Sequence, residues 1–269
     1  MSKFGLLVMG PAGAGKTTFS NSLIQHLQNN RRSCFYVNLD PAAEQFAYQP
    51  DLDIRELITL EDVMEELGLG PNGGLIYCFE FLLQNLEFLS EALDPLSEEY
   101  LIIFDMPGQI ELYTHIPLLP SLTQYLSRQG PLNINLCAAY LLETMLMLEI
   151  PHVNILSKMD QVREMVTKRE LRRFANVDVQ LLQNDEDDPK ARANPMATDA
   201  LMSGGSFKQL NRAVAQLIDD FSMVSFLQLD VQDEDSVAAI LSHIDDAIQY
   251  HEAQEPREPK DEQEVNYED

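Results

Sequence analysis

Residues 10–17 (GPAGAGKT) have types and spacing suited to holding phosphate groups, since they match the pattern G-x-x-x-x-G-K-[ST] in full. Glycines let backbone N–H groups turn inward around phosphate oxygens, the lysine reaches the outer phosphates, and the hydroxyl binds Mg²⁺. The alternative is a glycine-rich turn with an exposed lysine, but the segment follows an apolar strand and opens an amphipathic helix, as a phosphate-binding loop must. The residues assigned to nucleotide binding here are Gly13, Ala14, Gly15, Lys16, Thr17 and Thr18, with Thr17 also a metal ligand.

Residues 105–109 (DMPGQ) form a second candidate segment, which follows the apolar run 100–104 (YLIIF). Asp105, at the carboxyl end of a strand, is placed to hold Mg²⁺, usually through water. Gly108 can offer an unobstructed backbone N–H to a γ-phosphate, and Gln109 can orient the attacking water. The alternative is an ordinary Pro-Gly turn after a buried strand.

Residues 157–160 (SKMD) resemble the guanine-recognition tetrad N/T-K-x-D of GTPases. An aspartate in this place accepts two hydrogen bonds from the guanine N1–H and N2–H₂ groups, which adenine cannot supply. The lysine stem packs over the base, and serine departs from the usual first residue. We therefore assign Ser157, Lys158, Met159 and Asp160 to nucleotide binding.

The residues alone support two interpretations of Asp40 and one of Asn72. The Asp40 carboxylate, in residues 38–44 (NLDPAAE), can contact a metal-bound or attacking water, and it equally fits an Asp-Pro turn that caps a helix. From the residues alone, 70–72 (GPN) indicate a turn between two helices.

Short apolar or β-branched runs alternate with helical patterns, which predicts an α/β fold with a doubly wound, mostly parallel sheet. The predicted strands are residues 4–9, 33–39, 100–104, 136–142, 152–156 and 224–229. The predicted helices are residues 16–28, 54–66, 74–93, 207–221 and 234–251.

Composition narrows the classes of function. The 269 residues include 18 Lys and Arg against 44 Asp and Glu, for a net charge of −26. Such a surface repels phosphate backbones and anionic lipids, so we expect no direct nucleic-acid binding and no membrane binding. The charge could attract a basic protein partner or simply keep the chain soluble. Three isolated cysteines and the lack of a long apolar run predict a soluble, cytoplasmic protein.

These motifs, with residues 70–74 (GPNGG) and 105–117 (DMPGQIELYTHIP), resemble the GPN-loop GTPase family over residues 3–251. Residues 217–230 resemble one of its three eukaryotic branches most. The resemblance implies a P-loop NTPase fold with a helical GPN insertion at about 54–93, GTP as substrate and Mg²⁺ as cofactor. It also implies a homodimer, or a heterodimer with a paralogue, in which Asn72 reaches the other subunit's γ-phosphate.

The same resemblance implies a role in RNA polymerase II assembly and nuclear import, with contacts to polymerase subunits and possible shuttling to the nucleus. The implied catalytic residues are Asn72, Gln109 and Asp40, and a partner would supply a stabilising group that the chain lacks. Two other hypotheses stay open, namely an assembly scaffold that holds nucleotide with little turnover and an ATP-using relative. A nucleotide competition assay and steady-state phosphate release distinguish them.

The predicted domain spans residues 1–251, with a mobile loop at about 183–206 and a disordered acidic tail at 252–269. One connection is unusually short, since nine residues (143–151) separate the strand ending at Leu142 from the strand beginning at His152. Neighbouring parallel strands normally need about a dozen residues or more. By family comparison roughly 25 residues are absent here. We expect 143–151 to form at most a short helix beside a strained or shortened strand, residues 157–160 to be displaced, and both stability and dimerisation to be impaired.

Overall fold

The computed structural model describes residues 3–43, 46–109, 118–127, 130–141, 148, 150–162 and 226–253. In these ranges, seven parallel strands form one sheet in the order β3-β2-β4-β1-β5-β6-β7. The strands are β1 (Lys3–Met9), β2 (Cys34–Asn38), β3 (Leu52–Asp53), β4 (Leu101–Asp105), β5 (Ile134–Leu141), β6 (His152–Leu156) and β7 (Phe226–Gln228). The doubly wound α/β prediction is confirmed, and every strand pairing is parallel.

Alternate residues of the central strands enter two separate hydrophobic clusters, one on each face of the sheet. Leu7 and Phe104 belong to one cluster, while Leu6 and Ile103 belong to the other. A parallel sheet that is covered on both faces needs apolar side chains in both directions, which explains the nearly continuous apolar runs of β1, β4 and β5.

The helices cover these two faces unequally. α1 (Lys16–Asn29) and α7 (Glu234–Ala247) pack on the face that includes Leu6, and α8 (Tyr250–Ala253) follows there. The opposite face is covered by α3 (Pro71–Gln84), α4 (Glu87–Leu93) and α5 (Leu118–Leu126). α2 (Leu60–Leu67) packs against α3, and α6 (Met159–Val162) is a single turn after β6. No helix in the described ranges is long and apolar enough to cross a bilayer.

The helices of the GPN insertion differ from the sequence prediction. The helix predicted at 54–66 is a short 3-10 turn (Ile54–Glu56) followed by α2, which is capped by Thr59 and ends at the left-handed Gly68. The helix predicted at 74–93 begins earlier and breaks at Asn85, giving α3 and α4. Pro71 occupies the first position of α3, where its missing N–H costs nothing. Asn72 therefore lies in the first helical turn and not in a turn between helices.

The described ranges contain the six predicted strands, each within a few residues of its predicted bounds, but β3 and α5 were not predicted. β3 is only two residues long, too short for a periodic signal. The predicted helix at 207–221, the loop at 183–206 and all but the first two residues of the tail lie outside the described residues.

Residues 142–151 must connect β5 to β6, which lie side by side with Ala138 opposite His152. Most of this connection lies outside the described residues, and Leu148 is buried without being helical. β5 has eight residues and β6 has five, and a strained or shortened strand relative to a family member with a longer connection stays a prediction. A cavity of about 590 Å³ lies beside this connection, lined by α5, the start of β5 and residues near Pro151.

Candidate functional site

The phosphate-binding loop joins β1 to α1 at the carboxyl edge of the sheet. Gly13 and Gly15 have φ values of +76° and +91°, a backbone conformation that favours glycine. Gly10 passes so close to β5 that a Cβ there would lie 2.4 Å from the Leu141 carbonyl oxygen. The first turn of α1 carries no acidic residue, so the positive end of the helix faces the loop undiminished. The arrangement predicted for residues 10–17 is thus formed.

Thr17 and Asp105, predicted separately as metal ligands, are in direct contact. The Thr17 hydroxyl donates a hydrogen bond of 2.9 Å to Asp105 Oδ2. Asp105 is 3% exposed, and its other oxygen, Oδ1, is buried with no hydrogen-bond partner in the described part of the chain. An unpartnered buried carboxylate oxygen beside a hydroxyl suits Mg²⁺, which binds one or two such groups together with substrate phosphates. The described ranges hold no group of three His, Cys, Asp or Glu that could bind a metal.

Burial strongly affects the charges of this site. It raises the pKa of Asp105 to about 6, even though hydrogen bonds from Thr17 and Tyr36 act in the opposite direction. Burial also lowers the pKa of Lys16, although Asp105 and Asp40 act to raise it. Each charge therefore costs free energy in the absence of a compensating ligand. A magnesium–phosphate complex offers that compensation to both groups, because it brings opposite charges to each of them.

Lys16 and Gly108 bring the loop after β4 onto the phosphate-binding loop. The Lys16 ammonium donates to the Pro11 carbonyl oxygen at 3.3 Å, and Ala12 N–H donates to Gly108 O at 2.9 Å. A Cβ on Gly108 would lie 2.8 Å from the Ala12 nitrogen and 2.9 Å from Lys16 Nζ, so only glycine fits. Gln109 Oε1 is buried and has no hydrogen-bond partner among the described residues. Buried polar atoms normally have a partner, so a bound ligand or water is expected to supply one here.

The predicted base-recognition segment docks on the same loop. Ser157, 6% exposed, donates from Oγ to the Ala14 carbonyl oxygen at 2.7 Å. Lys158 is exposed with φ of +61°, and Asp160 lies in the short α6. The N–H of Met159 donates to Leu229 O at 3.1 Å, which ties the segment to the end of β7. The expected displacement of this segment is therefore not observed.

Asp40 forms the turn of one sequence interpretation, without a helix in the described residues that directly follow it, and its contact with water stays a prediction. Its Oδ1 accepts a hydrogen bond of 2.9 Å from Ala42 N–H, which is the predicted turn. Burial raises the pKa of Asp40, and the nearby charges of Lys16 and Arg55 oppose that rise. Asp40 is thus close enough to Lys16 for electrostatic coupling, as a residue near the phosphates would be.

Asn72, the remaining sequence-predicted residue, is not brought to this site by hydrogen bonds. It is exposed on the first turn of α3, and its side chain forms no hydrogen bond within the described ranges. The other predicted residues, in contrast, meet at the carboxyl ends of β1, β2, β4 and β6. This clustering at one edge is expected for ligand sites of open parallel sheets.

Two features of the site were not predicted from the sequence. Tyr36, in the middle of β2, donates from its hydroxyl to Asp105 Oδ2 at 3.0 Å. Arg55 forms a two-pronged pair with Asp53 and donates to the Ala43 carbonyl oxygen at 2.8 Å, which connects the GPN insertion to the Asp40 loop. The bonds from Tyr36 to Asp105 and from Arg55 to Ala43 are not visible in sequence, because they depend on how separate segments pack, whereas Arg55 and Asp53 are only two residues apart.

Comparison with known proteins gives consistent results. A family profile described as "Conserved hypothetical ATP binding protein" matches residues 8–250. A protein of Aspergillus fumigatus named GPN-loop GTPase 3 is 76% identical, covering 100% of this chain and 99% of that protein. Proteins of the same name from Gibberella zeae and Saccharomyces cerevisiae are 57% and 48% identical, and each covers 98% of this chain.

A solved structure agrees on the fold. The crystal structure of a GTPase in apo form from Pyrococcus abyssi superposes with a TM-score of 0.68 and 22% identity. The match covers 91% of this chain and 97% of the other, and it agrees with the P-loop NTPase fold.

One relative contains residues that this chain lacks. The alignment with the Aspergillus fumigatus protein runs over 291 positions and includes all 269 residues of this chain. At least 22 residues of that relative, the difference between these two lengths, therefore have no counterpart here.

Proposed function

Because the chain belongs to the family of GPN-loop GTPases, we propose that it binds GTP with Mg²⁺ and hydrolyses it to GDP and phosphate. The observation that carries the proposal is the hydrogen bond between Thr17 and Asp105, 88 residues apart in sequence. It brings the hydroxyl of the phosphate-binding loop to the carboxylate of β4. Phosphoryl transfer depends mainly on such positioning and on charge compensation, since the protein supplies little covalent chemistry.

Each group at the carboxyl edge has a role in this proposal. Thr17 and Asp105 would hold Mg²⁺, which when bound neutralises the charge that develops on the phosphates. Lys16 and the backbone N–H groups of residues 13–18 bind the phosphates. The Gly108 N–H faces the γ-phosphate, and Gln109 and Asp40 orient the attacking water.

Guanine is the base that the residues support best. The contact between Ser157 and Ala14 holds residues 157–160 against the phosphate-binding loop, so Asp160 can accept hydrogen bonds from a base whose phosphates lie there. The description of the family profile refers to ATP, and an ATP-using protein is therefore the competing proposal. Competition of unlabelled GTP and ATP against a fluorescent GDP derivative distinguishes the two.

Replacing Asp160 with Asn should weaken GTP and GDP binding by at least about tenfold. The amide accepts only through its oxygen and presents an N–H₂ group to a base donor, so one hydrogen bond is lost and one donor is left unpaired. Xanthine nucleotides, which carry an acceptor in place of the guanine amino group, should gain affinity. Asp246→Asn, which removes an equal charge from an exposed site, is the matched control. Unchanged affinity for both guanine nucleotides would contradict this role of Asp160.

We also propose that the working unit is a dimer, either of two copies or with a paralogue. Asn72 is exposed, and the large apolar side chains exposed in the described part of the chain all lie within five residues of it in sequence, namely Leu67 at 49%, Leu69 at 36% and Tyr77 at 38%. Exposed apolar groups of this kind favour a protein interface. A partner that packs there would bring its own Asn72 to the phosphate site, which would couple hydrolysis to the dimer geometry.

Replacing Asn72 with Ala should leave nucleotide affinity of the single chain unchanged and lower GTP hydrolysis tenfold to about a hundredfold. A hydrogen bond to a charged transition state contributes roughly 1.5–3 kcal/mol. Gln84→Ala, an exposed amide at the other end of α3, is the control. Mixing the variant with a nucleotide-binding-deficient chain shows whether Asn72 acts across the interface. Rates that follow residue 72 of the nucleotide-holding subunit itself would contradict the dimer proposal.

The cellular role proposed from the sequence resemblance is assembly and nuclear import of RNA polymerase II by a cytoplasmic protein that shuttles to the nucleus. A scaffold that holds nucleotide with little turnover is the alternative, favoured by the exposed position of Asn72 in the single chain. Binding of purified polymerase subunits in the GTP and GDP states tests the role directly. Equal binding in both states would support the scaffold and contradict a switch.

A further inference from the structure

The hydroxyl of Tyr36 lies inside the protein against the carboxylate that faces the phosphate site. The Tyr36 side chain is fully buried, and its hydroxyl donates to Asp105 Oδ2 at 3.0 Å. β2 and β4 are neighbours, with Tyr36 opposite Ile103. The side chains of Tyr36 and Ile103 therefore lie on the same face of the sheet, the one covered by α1. The ring packs edge-on against Phe46 and Tyr48, with centroid distances of 6.4 Å in both cases.

The two oxygens of Asp105 are in different situations. Oδ2 accepts hydrogen bonds from both Thr17 and Tyr36, at 2.9 and 3.0 Å, whereas Oδ1 has no partner in the described ranges. Two donors on one oxygen fix the rotation of the carboxylate about its Cβ–Cγ bond.

We propose that Tyr36 is a positioning residue, whose hydroxyl holds Asp105 Oδ2 so that Oδ1 stays directed to the Mg²⁺ of the nucleotide complex. This inference rests on the proposed function. Thr17 alone would be a weaker anchor, because its hydroxyl oxygen is itself the proposed metal ligand. The Tyr36 hydroxyl, in contrast, bonds to the Asp105 carboxylate and is not a proposed metal ligand. It can therefore keep that carboxylate oriented both before and after the metal binds.

Groups that orient a metal ligand typically contribute 10- to 100-fold in metal affinity or activity. Tyr36→Phe removes only the hydroxyl and keeps every ring carbon, so the packing against Phe46 and Tyr48 is retained. The midpoint of the Mg²⁺ dependence of GDP binding should therefore rise on the order of tenfold, while GDP affinity without Mg²⁺ stays within about twofold.

Tyr48→Phe is the matched control. It removes the same atom from a ring in the same aromatic group, but that hydroxyl contacts Gln28 and not Asp105. Affinity is measured with a fluorescent GDP derivative over a range of free Mg²⁺, and melting curves without nucleotide verify that each variant is folded. We expect Tyr48→Phe to keep the Mg²⁺ midpoint of the parent chain.

A double variant ties the effect to Asp105. In the Asp105→Asn background, adding Tyr36→Phe should change the Mg²⁺ midpoint less than about twofold, since the group to be positioned is gone. An unchanged midpoint in Tyr36→Phe alone, or a full tenfold effect in the Asp105→Asn background, would overturn the positioning role. A parent chain that binds GDP without any Mg²⁺ dependence would instead contradict the proposed function.

Discussion

Replacing Lys16 with Met should lower GTP affinity on the order of 100-fold without destabilising the nucleotide-free chain. Lys16 is buried, with its ammonium close to Gly108, and among the described residues that ammonium donates to the Pro11 carbonyl oxygen at 3.3 Å. A charged hydrogen bond to phosphate contributes up to roughly 3 kcal/mol, which corresponds to a factor of about 100 or more.

Lys16→Met should lower GTP affinity but should not lower the stability of the nucleotide-free chain. Burial lowers the pKa of Lys16, so the folded chain disfavours the charged form. Below the ordinary pKa of 10.5 this charge therefore costs folding free energy, and removing it should keep or raise the melting temperature near neutral pH. Fluorescent-nucleotide titration and thermal melting measure the two effects.

Arg31→Gln serves as the control, because Arg31 is exposed beyond the other end of α1, about 20 Å from Lys16. It should change neither quantity. Unchanged GTP affinity in Lys16→Met would refute the assignment of residues 10–17 to phosphate binding.

Replacing residues 142–151 with a helical connection at least 22 residues longer, the number by which the alignment with the Aspergillus fumigatus protein exceeds this chain, should raise the melting temperature by about 10 °C or more. We propose that the residues missing from this chain belong to this connection. β4 to β5 and β5 to β6 cross the sheet in the same direction, so right-handed crossovers place both connections on the face that carries α5. The 590 Å³ cavity between α5, the start of β5 and Pro151 lies where such a helix would begin or end.

The magnitude follows from the apolar area that such a helix buries. Each fully buried Leu, Ile or Met contributes about 1.5–3 kcal/mol, and a domain of this size gains roughly 2–4 °C per kcal/mol. A connection of equal length made only of Gly and Ser is the control, because it relieves the length constraint without supplying an apolar face. Dimerisation, measured by light scattering, should improve with the helical connection.

Equal melting temperatures for this chain and the variant with the longer connection would show that ten residues are a sufficient crossover. If the Gly-Ser connection stabilised the chain as much as the helical connection, the low stability of this chain would be due to the length of its connection and not to missing apolar burial. Guanine-nucleotide affinity should change little in either variant, since Ser157 already contacts the phosphate-binding loop.

The sequence was most informative where chemistry and secondary structure coincide locally. Residues 10–17 required a strand before them and a helix after them, and β1 and α1 are there. Asp105 at the end of an apolar run could be assigned to a strand end for the same reason. The start of α3 was misjudged because glycines and a proline predict a turn, although Pro71 is favourable at the first helical position.

Contacts between distant strands could not be predicted in this way. The hydrogen bonds from Tyr36 to Asp105 and from Arg55 to Ala43 depend on the strand order β3-β2-β4, which is a property of the whole sheet. The two-residue β3 is too short to show a periodic pattern. Asp53 can be recognised as a strand residue next to the site only once its pairing with Asn38 is known. Tertiary context therefore supplied the residues that support the site, whereas the sequence supplied those that face the nucleotide.

Steady-state phosphate release is the most direct test of the central claim that this chain is a GTPase. We predict Mg²⁺-dependent release from GTP that exceeds release from ATP and that Lys16→Met reduces to the background without enzyme. The rate should increase with chain concentration faster than linearly if the dimer is the active unit. Release from GTP no faster than in Lys16→Met, at concentrations where GTP is bound, would contradict a GTPase and leave a nucleotide-holding scaffold.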